Sequence, residues 1–405
     1  MHKIFIRGPK MKKTALTTLI MILFISSSLP AQIDSNQDYI KAMTTSNASQ
    51  KVKLLKEYLA KYAGKGTQYE NFVYAALCVQ NYADKTVRET IEYGEKALAL
   101  GDLDDLTKCR ILITVSGIYS QRGQNLEKAK NYASQVVQIA KTNMNKQSTE
   151  ATPEQWNKFI GAGYFTDGQA LEKSKYLKEA VDSYINSYRI LKDPQIADSL
   201  KKVGKSLYDI RFYKDAEKAF EIPVSVLKDF ASYAFYAKTL YKNKKKEEAL
   251  KYFKMAYGKQ RSGEMAFYVG IILADKTKSN PSVSQEAIRY LLEASFLSAA
   301  NSKKAMELAE SIFFTSDRNT KYNQNVKALQ RLSKGLEDLT NKFNKKFGEK
   351  DEEDLSDAEK KEMDNMLKDI EFEEKDIQKI EAEQKIVLEE FNKLIEETKK
   401  RLGVR

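Results

Sequence analysis

The residues from Phe230 to Tyr257 read FASYAFYAKTLYKNKKKEEALKYFKMAY and predict two short amphipathic helices joined by a basic turn. In the first half, bulky and small residues recur at helical spacing: Tyr233, Tyr236, Ala237 and Leu240. In the second half the same spacing returns at Ala249, Phe253 and Ala256. This is the period of one apolar helix face. A single hairpin cannot bury such faces alone, so we expect further copies on either side.

Five more segments carry a similar order of residues. The small residue near the end of each first helix is Cys78, Gly117, Gly168, Gly204, Ala237 or Gly270. The residue that begins the small-x3-apolar pattern of each second helix is Thr90, Ala129, Ala180, Ala216, Ala249 or Ala287. Steps between these second-helix positions range from 33 to 51 residues. The sequence therefore predicts about six related helical hairpins with insertions between some of them.

The pattern resembles the tetratricopeptide repeat, W-x2-L-G-x2-Y followed by A-x3-F, over about residues 72–300. The resemblance implies an all-α, right-handed superhelical solenoid. It also implies that the small residues let the two helices of a hairpin cross closely. In this repeat family the first helix of each pair lines a concave surface that holds peptides, so the resemblance implies a binding scaffold.

Three features interrupt the period. The polar stretch from Lys141 to Gln155, next to the single tryptophan Trp156, predicts a loop or a short irregular helix. The dipeptide Asn280-Pro281 predicts a turn. Pro223 lies inside a predicted second helix, where a proline is expected to kink the helix or to end it early.

Residues 1–31 predict a secretory signal peptide. Five Lys and Arg residues precede the apolar run from Ala15 to Ile25, and small residues up to Ala31 follow it. The run is shorter than the ~20 residues of a membrane-spanning helix, so we expect cleavage, with a retained anchor as the alternative. This predicts an exported protein of a Gram-negative cell, in the periplasm, associated with the outer membrane or secreted, with no transmembrane segment after cleavage.

Three regions follow the leader. Residues 32–66 predict an N-terminal helical cap, residues 67–316 the repeat solenoid, and residues 317–405 a C-terminal coiled-coil hairpin. The first helix of this hairpin carries an apolar residue every seventh position, at Tyr322, Leu329, Leu336 and Phe343. Its pattern ends near Gly348.

The second helix of the hairpin begins with Ser356 and Glu359, which form a capping-box pattern. It carries two apolar heptad rows, Met363, Ile370, Ile377 and Phe391, and Met366, Ile380, Val387 and Leu394. Gln384 and Glu373 are the polar exceptions in these rows. Because the second helix is longer than the first, part of its apolar stripe is left for the solenoid, a second copy or a partner.

Charge is divided unevenly along the chain. The whole sequence has a net charge of +12, but residues 349–405 contain 20 Asp and Glu against 12 Lys and Arg. The basic solenoid therefore carries an acidic tail, which is either a solvated helix or a segment that docks on the basic body.

The residue types argue against an enzyme. The only histidine is His2, inside the predicted leader, which removes histidine-based catalysis and most zinc and iron sites. Neither a P-loop nor a GxGxxG motif is present, and we expect no cofactor and no metal. The two cysteines, Cys78 and Cys109, occupy different heights in the aligned repeats, about 12 Å apart along the helix axis. A disulfide needs closer Cα atoms, so we expect two buried thiols.

The candidate binding residues are those of the first helices that face away from the packed side. By resemblance these are Arg122, Lys201, Lys205, Tyr208, Lys238, Tyr241 and Lys242. Together they would form a basic, aromatic-lined groove for an acidic segment or a C-terminal carboxylate. Solvated surface is the alternative interpretation of each lysine.

The sequence therefore predicts a non-catalytic, exported scaffold that binds a protein or peptide in its concave groove. Two alternatives remain: an envelope-structural protein that self-associates through the C-terminal coiled coil, and a protein that binds an anionic polymer. Nucleic acid is not expected, since export argues against it and the tyrosines fall mostly at core spacing.

Overall fold

In the computed structural model, the structure describes residues 33–80, 85–316 and 319–404, so the predicted signal peptide lies outside the described residues. Within these ranges the regular elements are helical. The chain divides after Val226 into two compact units. The first contains α1 (residues 33–44), α2 (Ala48–Tyr62), α3 (Glu70–Val79), α4 (Val87–Leu100), α5 (Asp105–Arg122), α6 (Leu126–Asn145), α7 (Pro153–Lys173), α8 (Leu177–Leu191), α9 (Pro194–Asp209) and α10 (Tyr213–Val226).

The second unit begins with two further hairpins and ends with long helices. It contains α11 (Phe230–Lys242), α12 (Lys246–Lys259), α13 (Gly263–Lys276), α14 (Ser284–Leu297), α15 (Ser302–Thr315), α16 (Thr320–Phe347) and α17 (Asp357–Leu402). Six hairpins, from α3–α4 to α13–α14, occupy the predicted repeat region, which confirms the all-α repeat fold. The predicted domain boundaries near residues 66 and 316 stay predictions.

Four hairpins share one turn. The residue that reverses the chain between the two helices is Gly123, Lys175, Arg211 or Lys244, with φ of 66°, 67°, 67° and 64°. In each turn the next amide donates to a carbonyl five residues back, as Lys245 N–H does to Leu240 O at 2.9 Å. This left-handed residue and backward hydrogen bond form a Schellman-type helix end. The basic turn predicted between α11 and α12 is thus one copy of a backbone motif that recurs in four hairpins. In three of them a residue other than glycine adopts the left-handed conformation.

The small residues of the first helices allow close helix crossing, as predicted. A Cβ atom built on Gly168 would lie 2.7 Å from the ring of Tyr184 on α8. Equivalent contacts join Gly204 to Phe220 at 3.1 Å and Gly270 to Leu291 at 2.6 Å. In each hairpin the apolar residue of the small-x3-apolar pattern therefore presses on the backbone of the first helix.

Gly117 is an exception and the prediction for it was wrong. A Cβ atom at Gly117 would meet nothing within 4 Å, whereas the preceding Ser116 is fully buried. The inward-facing small residue of α5 is therefore Ser116, one position earlier than the sequence alignment placed it. This register agrees with the spacing of Leu112, Val115 and Tyr119, which are all buried.

The polar stretch after α6 is a loop, as predicted, only in its middle, residues 146–152, and its two ends are helical. Helix α6 continues to Asn145, and α7 already begins at Pro153 behind a Thr152 capping box. The helix is held by Asn143, which is buried and donates to Asp105 Oδ2 at 2.7 Å. Trp156, in the first turn of α7, is buried in the same core. The polar composition misled the prediction because one side of these long helices still packs.

Pro223 does not end its helix, contrary to one of the two expected outcomes. Helix α10 continues beyond this buried proline to Val226. The second interruption was predicted correctly, since Asn280 caps a short 3-10 turn, Pro281–Val283, between α13 and α14.

The cysteines are two buried, free thiols, as predicted. Cys78 lies beside α4, where its Sγ would be 3.0 Å from a Cβ atom on Gly94. Burial raises the pKa of Cys78 to about 11 and that of Cys109 to about 12. Both thiols are therefore protonated and unreactive at neutral pH.

Helices α16 and α17 form an antiparallel hairpin. Lys346 pairs with Glu362, Gly335 lies against the Glu373 carboxylate, and Asn325 donates to Glu383 Oε2 at 3.0 Å. Moving 21 residues back along α16, from 346 to 325, corresponds to moving 21 residues forward along α17, from 362 to 383. This is the register of two continuous antiparallel helices. The heptad residues of α16 are only half-buried, and the predicted Ser356–Glu359 capping box is present.

The end of α17 extends past α16 and packs on α14, the second helix of the last repeat, and on α15, which follows it. The ring of Phe391, which is 4% exposed, lies 5.0 Å from that of Phe313 and 5.5 Å from that of Phe314 on α15. Arg401 pairs with the buried Glu293 of α14 at 2.8 Å. The part of the α17 apolar stripe that extends beyond α16 therefore packs on helices α14 and α15 of its own chain. In this ion pair the tail supplies the cation, so the contact does not rest on tail acidity.

Candidate functional site

The α9 candidates form one face of a single helix. Lys201, Lys205 and Tyr208 are spaced by four and three residues. The Lys201 ammonium lies 3.1 Å from Asp198 Oδ1, one turn earlier, and Lys205 is exposed. The Tyr208 ring packs edge-on against Tyr213 of α10 at 5.5 Å. This face therefore carries cations and an aromatic ring, and part of its charge is compensated within α9.

The α11 candidates bridge two consecutive first helices. Lys238 Nζ lies 2.8 Å from Glu264 Oε1 on α13, and its side chain is only 16% exposed. The Tyr241 ring contacts that of Tyr268, also on α13, at 5.2 Å. Lys242 is exposed at the end of α11. A carboxylate ligand would have to compete with Glu264 for Lys238, so Lys242 is the more accessible cation.

Arg122 occupies a different position. It is exposed in the last turn of α5, directly before the Gly123 turn. A cation there interacts favourably with the helix dipole whether or not a ligand is present. Helices α5 and α9 belong to the first unit and α11 to the second, so a groove that joins their candidate residues stays a prediction.

The second unit contains a cleft that the sequence did not reveal. It has a volume of about 1040 Å³ and lies between α14, α15, the end of α17 and the 3-10 turn. Its apolar side chains are Ile288, Leu292, Ile312, Phe313 and Leu394. This volume is at the upper end of that seen for ligand pockets. The one available signal was the apolar residue Leu394 beyond the end of the shorter partner helix.

Charged side chains of both signs surround this apolar surface. Lys278, Arg289 and Arg401 contribute cations, and Glu286 and Glu397 contribute carboxylates. Arg401 is held by Glu293, which also accepts a hydrogen bond from Tyr257 at 2.5 Å. Arg289 stacks on Tyr290, 4.5 Å from its ring centroid. The arginines are thus fixed by packing, with part of each guanidinium exposed.

The described residues lack a metal-binding cluster and a reactive thiol. Among them, no group of three or more His, Cys, Asp and Glu side chains could hold a metal ion. Both thiols have raised pKa values, which removes nucleophilic character at neutral pH. In the same ranges, none of the helices combines the length and the apolar composition needed to span a membrane.

Comparison with known proteins finds distant structural likenesses. No family model and no curated protein matches the sequence. Among solved structures, the apo form of RapI aligns with 76% of this chain and 99% of its own, at 14% identity and a TM-score of 0.34. The TPR2AB domain of yeast Sti1 in its pHSP90 complex covers 60% and 98%, at 15% identity and a TM-score of 0.25.

Yeast Tom70 aligns with 68% of this chain and 62% of its own, at 14% identity and a TM-score of 0.29. Scores this low describe a distant likeness. The assignment rests instead on this chain's own hairpins, with their shared turn and their small-residue crossings. The described residues therefore form an all-α repeat fold of the tetratricopeptide type, followed by a C-terminal helical hairpin.

Proposed function

We propose that this protein is a non-catalytic scaffold that binds a protein or peptide segment. The observation that carries the proposal is the cleft of about 1040 Å³ at α14, α15 and α17. Its apolar surface and fixed arginines suit an extended segment with apolar and acidic side chains. The two lysine-bearing faces predicted to line a first-helix groove, with Lys201 and Lys205 on α9 and Lys238 and Lys242 on α11, are further proposed contact surfaces, each within its own unit.

Site-specific photocrosslinking tests the cleft. A photoreactive amino acid replaces Gln285, an exposed residue that lines the cleft, and the cross-linked partner segment is identified by mass spectrometry. The matched control carries the same group at Lys303 of α15, whose side chain is 92% exposed and which does not line the cleft. We expect a discrete cross-link from position 285 only. Equal labelling from both positions would contradict a cleft-bound partner.

Charge reversal tests the groove. Replacing Lys201, Lys205, Lys238 and Lys242 with glutamate is expected to reduce partner capture from an envelope extract strongly, because attraction becomes repulsion. Unchanged capture would exclude the groove while leaving the cleft untouched.

Export is part of the proposal and is supported by the leader sequence alone. The basic residues, the apolar run and the small residues before Gln32 are the order of a cleaved signal. Cell fractionation with N-terminal sequencing of the mature protein is the test. A protein that retains residues 1–31 in the cytoplasm would contradict it.

A further inference from the structure

Helix α17 carries a stripe of side chains on the face opposite its contact with α16. With Met363 and Ile370 at heptad position a, the stripe comprises positions c and f. From Lys361 to Lys393 its residues are Lys361, Asn365, Lys368, Phe372, Lys375, Lys379, Ala382, Ile386, Glu389 and Lys393, and all are exposed. At 1.5 Å per residue this outer stripe is about 48 Å long.

The outer stripe reverses the charge of the helix that bears it. Helix α17 contains 15 Asp and Glu against 10 Lys and Arg. The outer stripe holds five of those ten cations but one of the fifteen carboxylates, Glu389. The carboxylates concentrate instead at position g, where Glu362 pairs with Lys346 and Glu383 with Asn325 of α16. The acidic side of α17 is therefore used within the hairpin, and a cationic side is presented outwards.

Two large apolar side chains lie in the middle of the outer stripe. Phe372 is 67% exposed and Ile386 is 60% exposed. They are 14 residues apart, which is two heptads, and Ala382 lies between them. Apolar residues at heptad spacing flanked by charge are what a helix presents to another helix in a coiled coil.

We propose that the outer stripe binds an acidic amphipathic helix of a partner protein, which adds to α16 and α17 as a third helix. Apolar residues of the partner, spaced by heptads, cover Phe372 and Ile386. Its flanking carboxylates meet the lysines of the stripe. Lys375 is already paired with Glu371, whereas Lys368 lies four residues before Phe372 and Lys379 lies midway between Phe372 and Ile386. This surface is separate from the cleft and the groove, and the inference goes beyond the proposed function.

Other occupants fit the outer stripe less well. An anionic membrane would also meet the acidic residues that flank the stripe, such as Asp364 and Glu371, and would need a wider apolar face. A second copy of the chain offers α16, which is basic, with seven Lys and Arg against two Asp and Glu, and on α17 it offers the same cationic stripe as its outward face. Charge complementarity therefore favours an acidic helix from another protein.

Peptide binding to the full chain without its leader tests the proposal. The probe is a fluorescent 28-residue helix with leucine at a and d and glutamate at e and g, and a second peptide with lysine at e and g is its control. Anisotropy titration should show binding of the glutamate peptide and at least about tenfold weaker binding of the lysine peptide.

Substitutions on α17 locate the binding surface. Lys368→Glu with Lys379→Glu is expected to weaken binding of the glutamate peptide about tenfold. Lys385→Glu on α17 with Lys334→Glu on α16 makes the same charge change at exposed lysines outside the outer stripe and should have little effect. Phe372→Ala with Ile386→Ala should also weaken binding about tenfold through lost apolar contact. Circular dichroism confirms that each variant is folded.

Three results would overturn the proposal. One is equal weakening by the two lysine pairs, which would mean non-specific attraction. Another is no measurable binding of the glutamate peptide, or equal binding of both peptides. The third is stripe-dependent binding to phosphatidylglycerol vesicles without peptide binding, which would make the outer stripe a membrane surface.

Discussion

The repeat hairpins and the C-terminal hairpin pack two helices in different ways. In α7–α8, the Tyr184 ring presses on the backbone at Gly168, and Tyr184 is almost completely buried. In α16–α17, the seam residues are half-buried, and Glu373 lies against Gly335. The repeats therefore depend on a few tight contacts, whereas the C-terminal hairpin depends on a long row of looser ones. The same type of substitution should therefore change the free energy of unfolding by different amounts in the two regions.

The largest effect is expected where α17 leaves its looser seam and packs on the repeats. Phe391→Ala removes a buried ring from its contacts with Phe313 and Phe314 and should cost about 3–5 kcal/mol of local stability. Hydrogen exchange of residues 389–402 measures the change. The control Phe372→Ala, on the same helix but 67% exposed, should change local stability by about 0.5 kcal/mol or less. Equal effects would show that α17 is not anchored at Phe391.

A glycine pair tests the tight crossing of the repeats. Gly168→Ala forces a methyl group to within 2.7 Å of the Tyr184 ring and should destabilise by about 1–3 kcal/mol. Gly117→Ala, in α5, meets open space and should instead stabilise by about 0.5–1 kcal/mol through higher helix propensity. Urea unfolding followed by circular dichroism compares them. Stabilisation by both substitutions would contradict the crossing geometry.

The shared hairpin turn predicts a gain in stability. Lys244 adopts φ of 64°, a conformation that costs a side-chain-bearing residue about 1–2 kcal/mol. Glycine relieves that strain but loses more entropy on folding, so Lys244→Gly should stabilise by about 0.5–1 kcal/mol. Lys251→Gly, at an exposed position inside α12, should destabilise by about 1 kcal/mol and serves as the control. Thermal unfolding of the two variants shows directly whether each substitution raises or lowers the melting temperature.

The smallest effect concerns pH, and it has opposite signs in the two regions. Burial raises the pKa of Asp167 in α7, partly offset by the hydrogen bond that Ser183 donates at 2.6 Å. The native state then holds its proton more tightly than the unfolded chain. This contribution is present below the ordinary value of 3.8 and is lost as pH rises through the higher native pKa. Asp167→Asn should therefore stabilise at pH 7, and the gain should vanish below pH 3.8.

Glu359 of the C-terminal hairpin behaves in the opposite way. Lys350 and the Ser356 cap lower its pKa from 4.5 to about 2. Its contribution is present above pH 4.5 and is lost as pH falls towards 2. Hydrogen exchange at the start of α17 should show that Glu359→Gln weakens protection at pH 7 and has no effect near pH 2. Local protection that is independent of pH in both variants would remove this contrast.

Many of the features that distinguish the two regions could be predicted from the sequence. The features that could not be predicted have physical reasons. Periodicity located the hairpins, and the Ser356–Glu359 pair located the start of α17. Gly117 was placed wrongly because two small residues, Ser116 and Gly117, adjoin, and only packing distinguishes them. The helical ends of the insertion were not predicted because composition does not record that Asn143 bonds to Asp105, 38 residues earlier. The cleft was missed because its side chains come from three separate helices and a turn.

The sequence by itself determined the elements of this protein. Spacings of three and four residues, caps and small residues specify helices and hairpins, because these depend on neighbours within one or two turns. The heptad rows likewise determined that α16 and α17 pair. Only the tertiary structure decided where the surplus of α17 packs, which cations are already paired, and where the cleft lies. Those features depend on contacts between residues far apart in sequence, as in the pair of Arg401 with Glu293.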